Sequence, residues 1–518
     1  MTWRATDPQG NEAGKVKYDI VRYTRGRGLD LGCGPHKAFP HFIGVDNLKD
    51  AKLFGIRMRP DFVVKDCCDL GLFADGSMDF IFSSHLLEHV EDHAAALREW
   101  WRVIKPGGHL VLYLPHRDFY PRIGTEGANP DHKHDFLPDD IIAQMRKLGG
   151  WSLVENEDRN EGTEYSFLQV YEKREDGKQS LVYKHKPGKT VCVVRYGGFG
   201  DMLQAANLLP ELKRQGYHVT VMCTPKGHDI LKLDPHIDDF NIQDQDQVPN
   251  NELTDFWASQ AKRYTKFVNL SESVEGTLLA LPGRANHAWP MSVRMAKLNV
   301  NYSEFTAELA EIPMFNETKF YESDEEAAEA KALLPNGKFA ILWTLAGSSL
   351  HKTYPHQDPV IATIMLEMPD AIVITVGDDS CKILEQGWEN EARVLRRSGE
   401  LSIRQTLAIA KQVNLVIGPE TGVLNAVAFE GMPKIVMLSH STVENLTKHW
   451  LYTTNLEPTK DIACYPCHRL HYGDQFCERE PESATAICQF SISPQRVIDA
   501  IGNAYDDWKA MQTLKVAV

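Results

Sequence analysis

Several short runs hold the residue types and spacing that could do chemistry. In residues 29–35 (LDLGCGP), Gly32 and Gly34 directly follow an apolar run that contains Asp30. Glycines placed so permit a tight turn and a close backbone approach to a ligand. Asp46 ends the next apolar run, Asp66 ends a third and Asp79 opens a fourth. A carboxylate after the second strand can accept hydrogen bonds from a ribose diol. Residues 83–89 (SSHLLEH) offer His85 and His89 as bases for a sugar hydroxyl. Residues 131–135 (DHKHD) could supply a base, with His132, or hold a divalent ion. The plainer alternative is that these histidines cap a surface helix and a loop.

A second set lies downstream. Residues 195–201 (RYGGFGD) place three glycines and Asp201 between a strand and a helix. Exposed backbone N–H groups there suit an anion or polar sugar, and the helix start favours a carboxylate. Asp201 is then a base for an acceptor hydroxyl, or simply a helix cap. Residues 347–355 (GSSLHKTYP) offer the hydroxyls of Ser348 and Ser349 and the charge of Lys352, a set suited to a diphosphate. In residues 418–426 (GPETGVLNA), Glu420, Thr421 and Gly422 again join a strand to a helix, whose amides would face a phosphate. Finally, Cys464, Cys467, Cys477 and Cys488 follow the spacing C-x2-C-x9-C-x10-C. They are either a structural zinc site or buried thiols packing a C-terminal loop.

These runs need elements to position them. Up to about residue 175, short β-rich runs (GRGLDLGC, HFIGVDN, DFVVKDC, MDFIFSS, HLVLYLP) alternate with amphipathic stretches, and WSLVENEDR and SFLQVYEKR follow. This predicts seven strands in a mainly parallel sheet covered by helices. Residues 173–189 read as a charged linker. The alternation then restarts, with residues 201–216 read as one helix closed by Gly216. A break near residues 334–337 precedes a third alternating unit, which ends in a helix opened by Ser493 and Pro494. The expected domains are 1–180, 188–334 and 335–518, the last two facing each other across a cleft.

Composition bounds the function. The 518 residues predict two to four domains, and 56 Lys and Arg against 71 Asp and Glu give a net charge of −15. Broad electrostatic binding to nucleic acid or anionic membrane is disfavoured, which leaves room only for a local basic cleft or peripheral association. Apolar runs fall short of the ~20 residues that span a bilayer. The N-terminus has no apolar signal core, and the ten cysteines then point to a reducing, cytoplasmic setting.

The first set resembles class I S-adenosylmethionine-dependent methyltransferases. D-L-G-C-G-P is similar to that family's first motif, and R-V-I-K-P-G-G-H to its turn before strand five. The resemblance covers residues ~20–175. It implies S-adenosylmethionine as cofactor, with Gly32 and Gly34 under its amino-acid part, Asp46 at the ribose, and Asp66 with Cys67 along the adenine edge. It also implies that the loop 83–89, with His85 and His89, faces the transferable methyl group.

Residues ~188–518 resemble glycosyltransferase family 9, the ADP-heptose lipopolysaccharide heptosyltransferases, with their two-domain GT-B architecture. G-G-F-G-D-M-L-Q-A is similar to the family's opening and puts Asp201 on its catalytic base. G-S-S-L-H-K-T-Y-P puts Lys352 on its phosphate-binding lysine. G-P-E-T-G-V-L-N-A is similar to its third motif, but Glu420 replaces Asp, Asn425 replaces His, and Tyr354 replaces Trp in the second. The resemblance implies a nucleotide-sugar donor, ADP-heptose by default, and a glycan or lipopolysaccharide precursor as acceptor. Other readings keep the fold but modify a nucleic-acid base or a protein, or reduce the first half to a binding or scaffold role.

Overall fold

The computed structural model describes residues 11–48, 52–53, 55–181, 188–347, 350–471 and 477–516. These form two compact units. One holds the residues up to Gly188 together with Ile242–Tyr264, and the other holds Lys189–Asn241 together with the residues from Thr265 onward.

The first unit is built on a sheet of eight strands. In chain order they are β1 (Gly28–Leu31), β2 (Ile43–Asp46), β3 (Phe62–Val63), β4 (Met78–Ser84), β5 (Ile104–Pro115), β6 (Trp151–Arg159), β7 (Ser166–Lys173) and β8 (Gln179–Leu181). The sheet order is β8-β6-β7-β5-β4-β1-β2-β3, and only β7 runs antiparallel to its neighbours. The central strands are apolar along their length because helices cover both faces: Phe80, Ile81, Phe82 and Leu110 to Leu114 are all fully buried. The helix His93–Val103 puts Leu97 and Trp100 into this core, and Asp92 caps its first turn by accepting from Ala95 N at 2.9 Å.

One expectation needs correction. Residues 173–189 are not all linker, because β8 adds a parallel edge strand to β6, with Ser152 and Ser180 hydroxyls 2.8 Å apart. The 242–264 segment also packs within this unit. Gln247 donates to the carbonyls of Val21 and Thr24 at 2.6 and 2.9 Å, Asp244 accepts from Gly26 N at 2.9 Å, and Arg263 donates to Asp19 at 2.8 Å. Phe256 is fully buried there, its ring 5.9 Å from that of Tyr18.

The second unit holds two parallel sheets. The four-stranded one comprises β9 (Thr190–Val194), β10 (His218–Cys223), β11 (Asp239–Ile242) and β12 (Lys266–Asn269), in the order β11-β10-β9-β12. The six-stranded one comprises β13 (Phe339–Thr344), β14 (Ala371–Val376), β15 (Val394–Arg396), β16 (Leu415–Pro419), β17 (Lys434–Met437) and β18 (Thr453–Leu456), in the order β15-β14-β13-β16-β17-β18. The helix expected over residues 201–216 is two, Phe199–Ala206 and Leu209–Arg214. Pro210 has no N–H to continue the first, so it sits at the start of the second. Gly216 closes the pair with φ 81°, a left-handed position that a side chain would strain. Among the described residues no helix is long and apolar enough to cross a membrane.

Candidate active sites

In the first unit, β1 ends in a left-handed turn, with Gly32 at φ 69° and Gly34 at φ 54°. A side chain at Gly32 would also press on Leu86, 3.0 Å from an added Cβ, so the turn requires glycine. Asp46, at the carboxyl end of β2, faces the turn. Its Oδ2 accepts from Gly34 N at 3.0 Å and its Oδ1 from Leu48 N at 3.1 Å. Each oxygen keeps a lone pair for a further donor.

The other acidic residues take other places. Asp30 is buried beneath the turn and accepts from Ala38 N at 2.8 Å; burial pushes its carboxyl up to about 7. Asp66 is exposed and accepts from Cys68 N at 2.9 Å, while the Cys67 carbonyl accepts from Trp100 Nε1 at 2.9 Å. Asp79 lies at the amino end of β4, pairing with Lys105 and accepting from Arg27 N at 2.9 Å. Ligands of such sheets gather at the carboxyl ends of strands, so Asp79 belongs to the opposite edge.

His85 follows the carboxyl end of β4 with φ 49°. Its Nε2 lies 2.9 Å from Ser166 Oγ, and its ring packs against those of Tyr113 and Tyr165. Burial pushes it down to about 3, which leaves it a weak proton acceptor at neutral pH. His132 and Glu88 are buried beside it, whereas His134 turns its Nε2 to the Val90 carbonyl at 3.0 Å and ties the loop down.

In the second unit, Asp201, Lys352, Glu420, Thr421, Gly422 and Asn425 all line one cavity of about 550 Å³. Ser348 and Ser349 lie outside the described residues. Asp201 opens into the cavity from the first turn of the helix Phe199–Ala206, with 43% of its side chain exposed. Its Oδ1 accepts from Arg195 Nη2 at 2.6 Å and its Oδ2 from Gly198 N at 2.9 Å. Arg195 is buried and also donates to Glu275 at 2.6 Å and to the Leu270 carbonyl at 3.2 Å. A Cβ on Gly197 would lie 2.5 Å from Asp201 Oδ2, so glycine here makes room for the carboxylate. Gly200 and Gly422 let two helix starts meet: a Cβ on Gly200 would lie 3.2 Å from Gly422 Cα.

Lys352 is buried and donates to the Glu420 carbonyl at 3.0 Å; burial lowers it from the ordinary lysine value. Glu420 is buried in a cage of donors. Its Oε1 accepts from Ser439 N at 2.8 Å and Ser441 N at 3.0 Å, its Oε2 from Ser439 Oγ at 2.9 Å, and it pairs with His440. Burial alone would raise its carboxyl, but His440, Lys352 and the backbone donors hold it well below the usual carboxylate range. Thr421 caps the helix Gly422–Ala426. Asn425 accepts from the buried Lys319 at 2.6 Å, and burial pushes that lysine down to about 7. Tyr354 is a buried anchor that donates to the Ile492 carbonyl at 3.0 Å.

Cys464, Cys467, Cys477 and Cys488 border one small cavity of about 60 Å³, together with Arg294, His351 and Ser439. Burial pushes the Cys467 thiol up to about 12. The four sulfurs are not among the groups of described residues close enough to share one ion, so the structure gives packing round a small space.

Arg195, Glu275, His440, Lys319 and Glu88 carry no expectation from the sequence. Arg195 and Glu88 lie within the runs 195–201 and 83–89. Glu275, His440 and Lys319 reach their sites only through contacts 20 to 106 residues apart in the chain.

Comparison with known proteins agrees with the first unit. Residues 29–112 match the family described as methyltransferase domain. Phosphoethanolamine N-methyltransferase 1 of Arabidopsis thaliana is 26% identical over 169 residues, covering 29% of this chain and 32% of that protein. The chain thus spans about a third of the plant relative's length. Demethylmenaquinone methyltransferase of Roseiflexus sp. (strain RS-1) is 32% identical over 165 residues, 25% of this chain and 69% of that protein. Among solved structures, the E. coli ADP-heptose lps heptosyltransferase II is similar over 62% of this chain and 99% of its own, at 14% identity and a TM-score of 0.44. The bacterial relative, matched over more than two thirds of its length, settles the affiliation: through the segment that builds its first unit, the chain belongs to the methyltransferase domain family.

Proposed function

We propose that the chain carries two transferase activities, in domains spanning 1–180, 188–334 and 335–518. The first domain is a methyltransferase that uses S-adenosylmethionine, which when bound supplies an electrophilic methyl group. The glycine turn at Gly32 and Gly34 leaves backbone open for the cofactor's amino-acid part, and Asp46 offers its free lone pairs to the ribose diol. Asp30 acts from below by fixing the turn. Asp46→Ala should weaken S-adenosylmethionine binding by about 1–3 kcal/mol in titration calorimetry. Unchanged affinity in folded variant protein contradicts the assignment.

The other two domains form a glycosyltransferase acting from a nucleotide sugar, with ADP-heptose the default donor, on a glycan or lipopolysaccharide-type hydroxyl. One observation carries this reading: Asp201 and Lys352 line the same cavity, each fixed by buried partners. A sugar hydroxyl is a very weak acid, so a carboxylate must take its proton as the new bond forms. Asp201 takes it, and the oxygen attacks the anomeric carbon from the face opposite the nucleotide. The anomeric carbon–oxygen bond breaks, and Lys352 with the Thr421 hydroxyl steadies the departing diphosphate. Incubation with a panel of nucleotide sugars, followed by mass spectrometry, should reveal one donor that is hydrolysed or transferred. Turnover of none contradicts the reading.

A further inference from the structure

Glu88 is the centre of a separate constellation in the first unit. Its side chain is fully buried, and neither carboxylate oxygen has a hydrogen-bond partner among the described residues. Three imidazole nitrogens face its Oε1: His85 Nδ1 at 3.8 Å, His89 Nε2 at 3.9 Å and His132 Nε2 at 3.9 Å. These separations are too long for hydrogen bonds. They are close to the roughly 3–4 Å that separates donor atoms sharing one ion at bond lengths near 2.1 Å.

For His89 the hydrogen bond on the far side of the ring fixes what faces Glu88. His89 Nδ1 lies 3.2 Å from the Asp131 carbonyl oxygen. A carbonyl only accepts, so Nδ1 carries the proton and Nε2 turns a lone pair toward the carboxylate. His85 Nε2 meets the Ser166 hydroxyl, which can donate or accept, so its tautomer is open. Lone pairs facing a buried carboxylate oxygen require a positive species between them. The outward bond from His89 to a backbone carbonyl is of the kind that orients histidine ligands at metal sites. The backbone locks the set together, because Lys133 N and His134 N both donate to the Glu88 carbonyl, at 2.7 and 3.2 Å.

We propose that Glu88, His89 and His132, whose ligand atoms lie within 4.8 Å of one another, bind a divalent transition-metal ion. Imidazole nitrogens mixed with one carboxylate suit Zn²⁺, Mn²⁺ or Fe²⁺ and discriminate against Ca²⁺, which takes six or more oxygens. The site sits at the carboxyl end of β4, which pairs in parallel with β1, so it shares a sheet edge with the glycine turn. An ion there holds an acceptor oxygen and makes its proton easier to lose. Ion binding itself does not depend on the proposed methyl transfer.

The test uses the full chain carrying C464S and C467S, stripped with a chelator and titrated with Zn²⁺ and with Mn²⁺ by calorimetry. In the unmodified chain Mn²⁺, which thiolates hold poorly, gives the same count. One equivalent is expected, with affinity falling at least tenfold in E88Q and, independently, in H132N, while circular dichroism shows both folded. If E88Q does not fold, H132N decides. Binding of neither ion, or parental affinity in the folded variants, overturns the proposal; in that case the positive species beside Glu88 is its own proton.

Discussion

Glu420 and Glu88 are both buried glutamates, 6% and 0% exposed, and they meet opposite surroundings. Glu420 follows β16 and receives two backbone N–H groups, a serine hydroxyl and His440. Glu88 follows β4 and receives none, only imidazole nitrogens beyond hydrogen-bond reach. Their carboxyls part accordingly: Glu420 is held below the usual range, while burial pushes Glu88 up to about 8. Depth alone therefore does not decide the state of a buried acid; the supply of donors does. A saturated carboxylate is part of the scaffold, and an unsatisfied one is open to a ligand.

Substitutions should separate the two. Glu420→Gln has the largest expected effect, about 3 kcal/mol of lost stability, because an amide N–H would face donors and His440 would lose its partner. A urea midpoint equal to wild type would break the contrast. The pH dependence follows from the sign of the shift. A carboxyl held low in the folded state stabilises above its unfolded value of 4.5, and that contribution is lost as the pH falls below it. Glu420→Gln should therefore flatten the acid limb of the stability curve. Ser439→Ala removes one hydroxyl donor from the same cage and should cost about 1 kcal/mol, read as a smaller midpoint shift. Glu88→Gln, in chelator-stripped protein, should change stability by no more than about 1 kcal/mol, since no hydrogen bond is lost. A loss as large as that at Glu420 would show that Glu88 is scaffold too.

Much of this arrangement was legible in the sequence, for stated reasons. Continuous apolar runs marked the parallel strands, and glycines marked the turns at Gly32, Gly34 and Gly197, where the backbone or a carboxylate needs the space. Asp46, Asp201, Lys352 and Thr421 stand out as candidates because each lies next to such a turn or on a strand-to-helix junction. Partners from distant segments were not legible. Nothing near Asp201 announces Glu275, and nothing near Asn425 announces Lys319. Strand β8 escaped because Gln179–Leu181 is polar and exposed, as an edge strand can be. The place of residues 242–264 escaped because Gln247 and Asp244 recognise backbone groups of residues 21–26, which carry no side-chain signature.

Asp201 as the base of the proposed glycosyl transfer is open to a direct test. The measurement is the initial rate of sugar transfer by Asp201→Asn beside wild type, with donor affinity measured on the same samples. Asparagine keeps the shape and one acceptor oxygen for Arg195 but cannot take the proton. Transfer should fall about 10²-fold or more while donor binding, which depends on Lys352 and Thr421, stays unchanged. Transfer at the wild-type rate would make Asp201 a helix cap and place the base elsewhere.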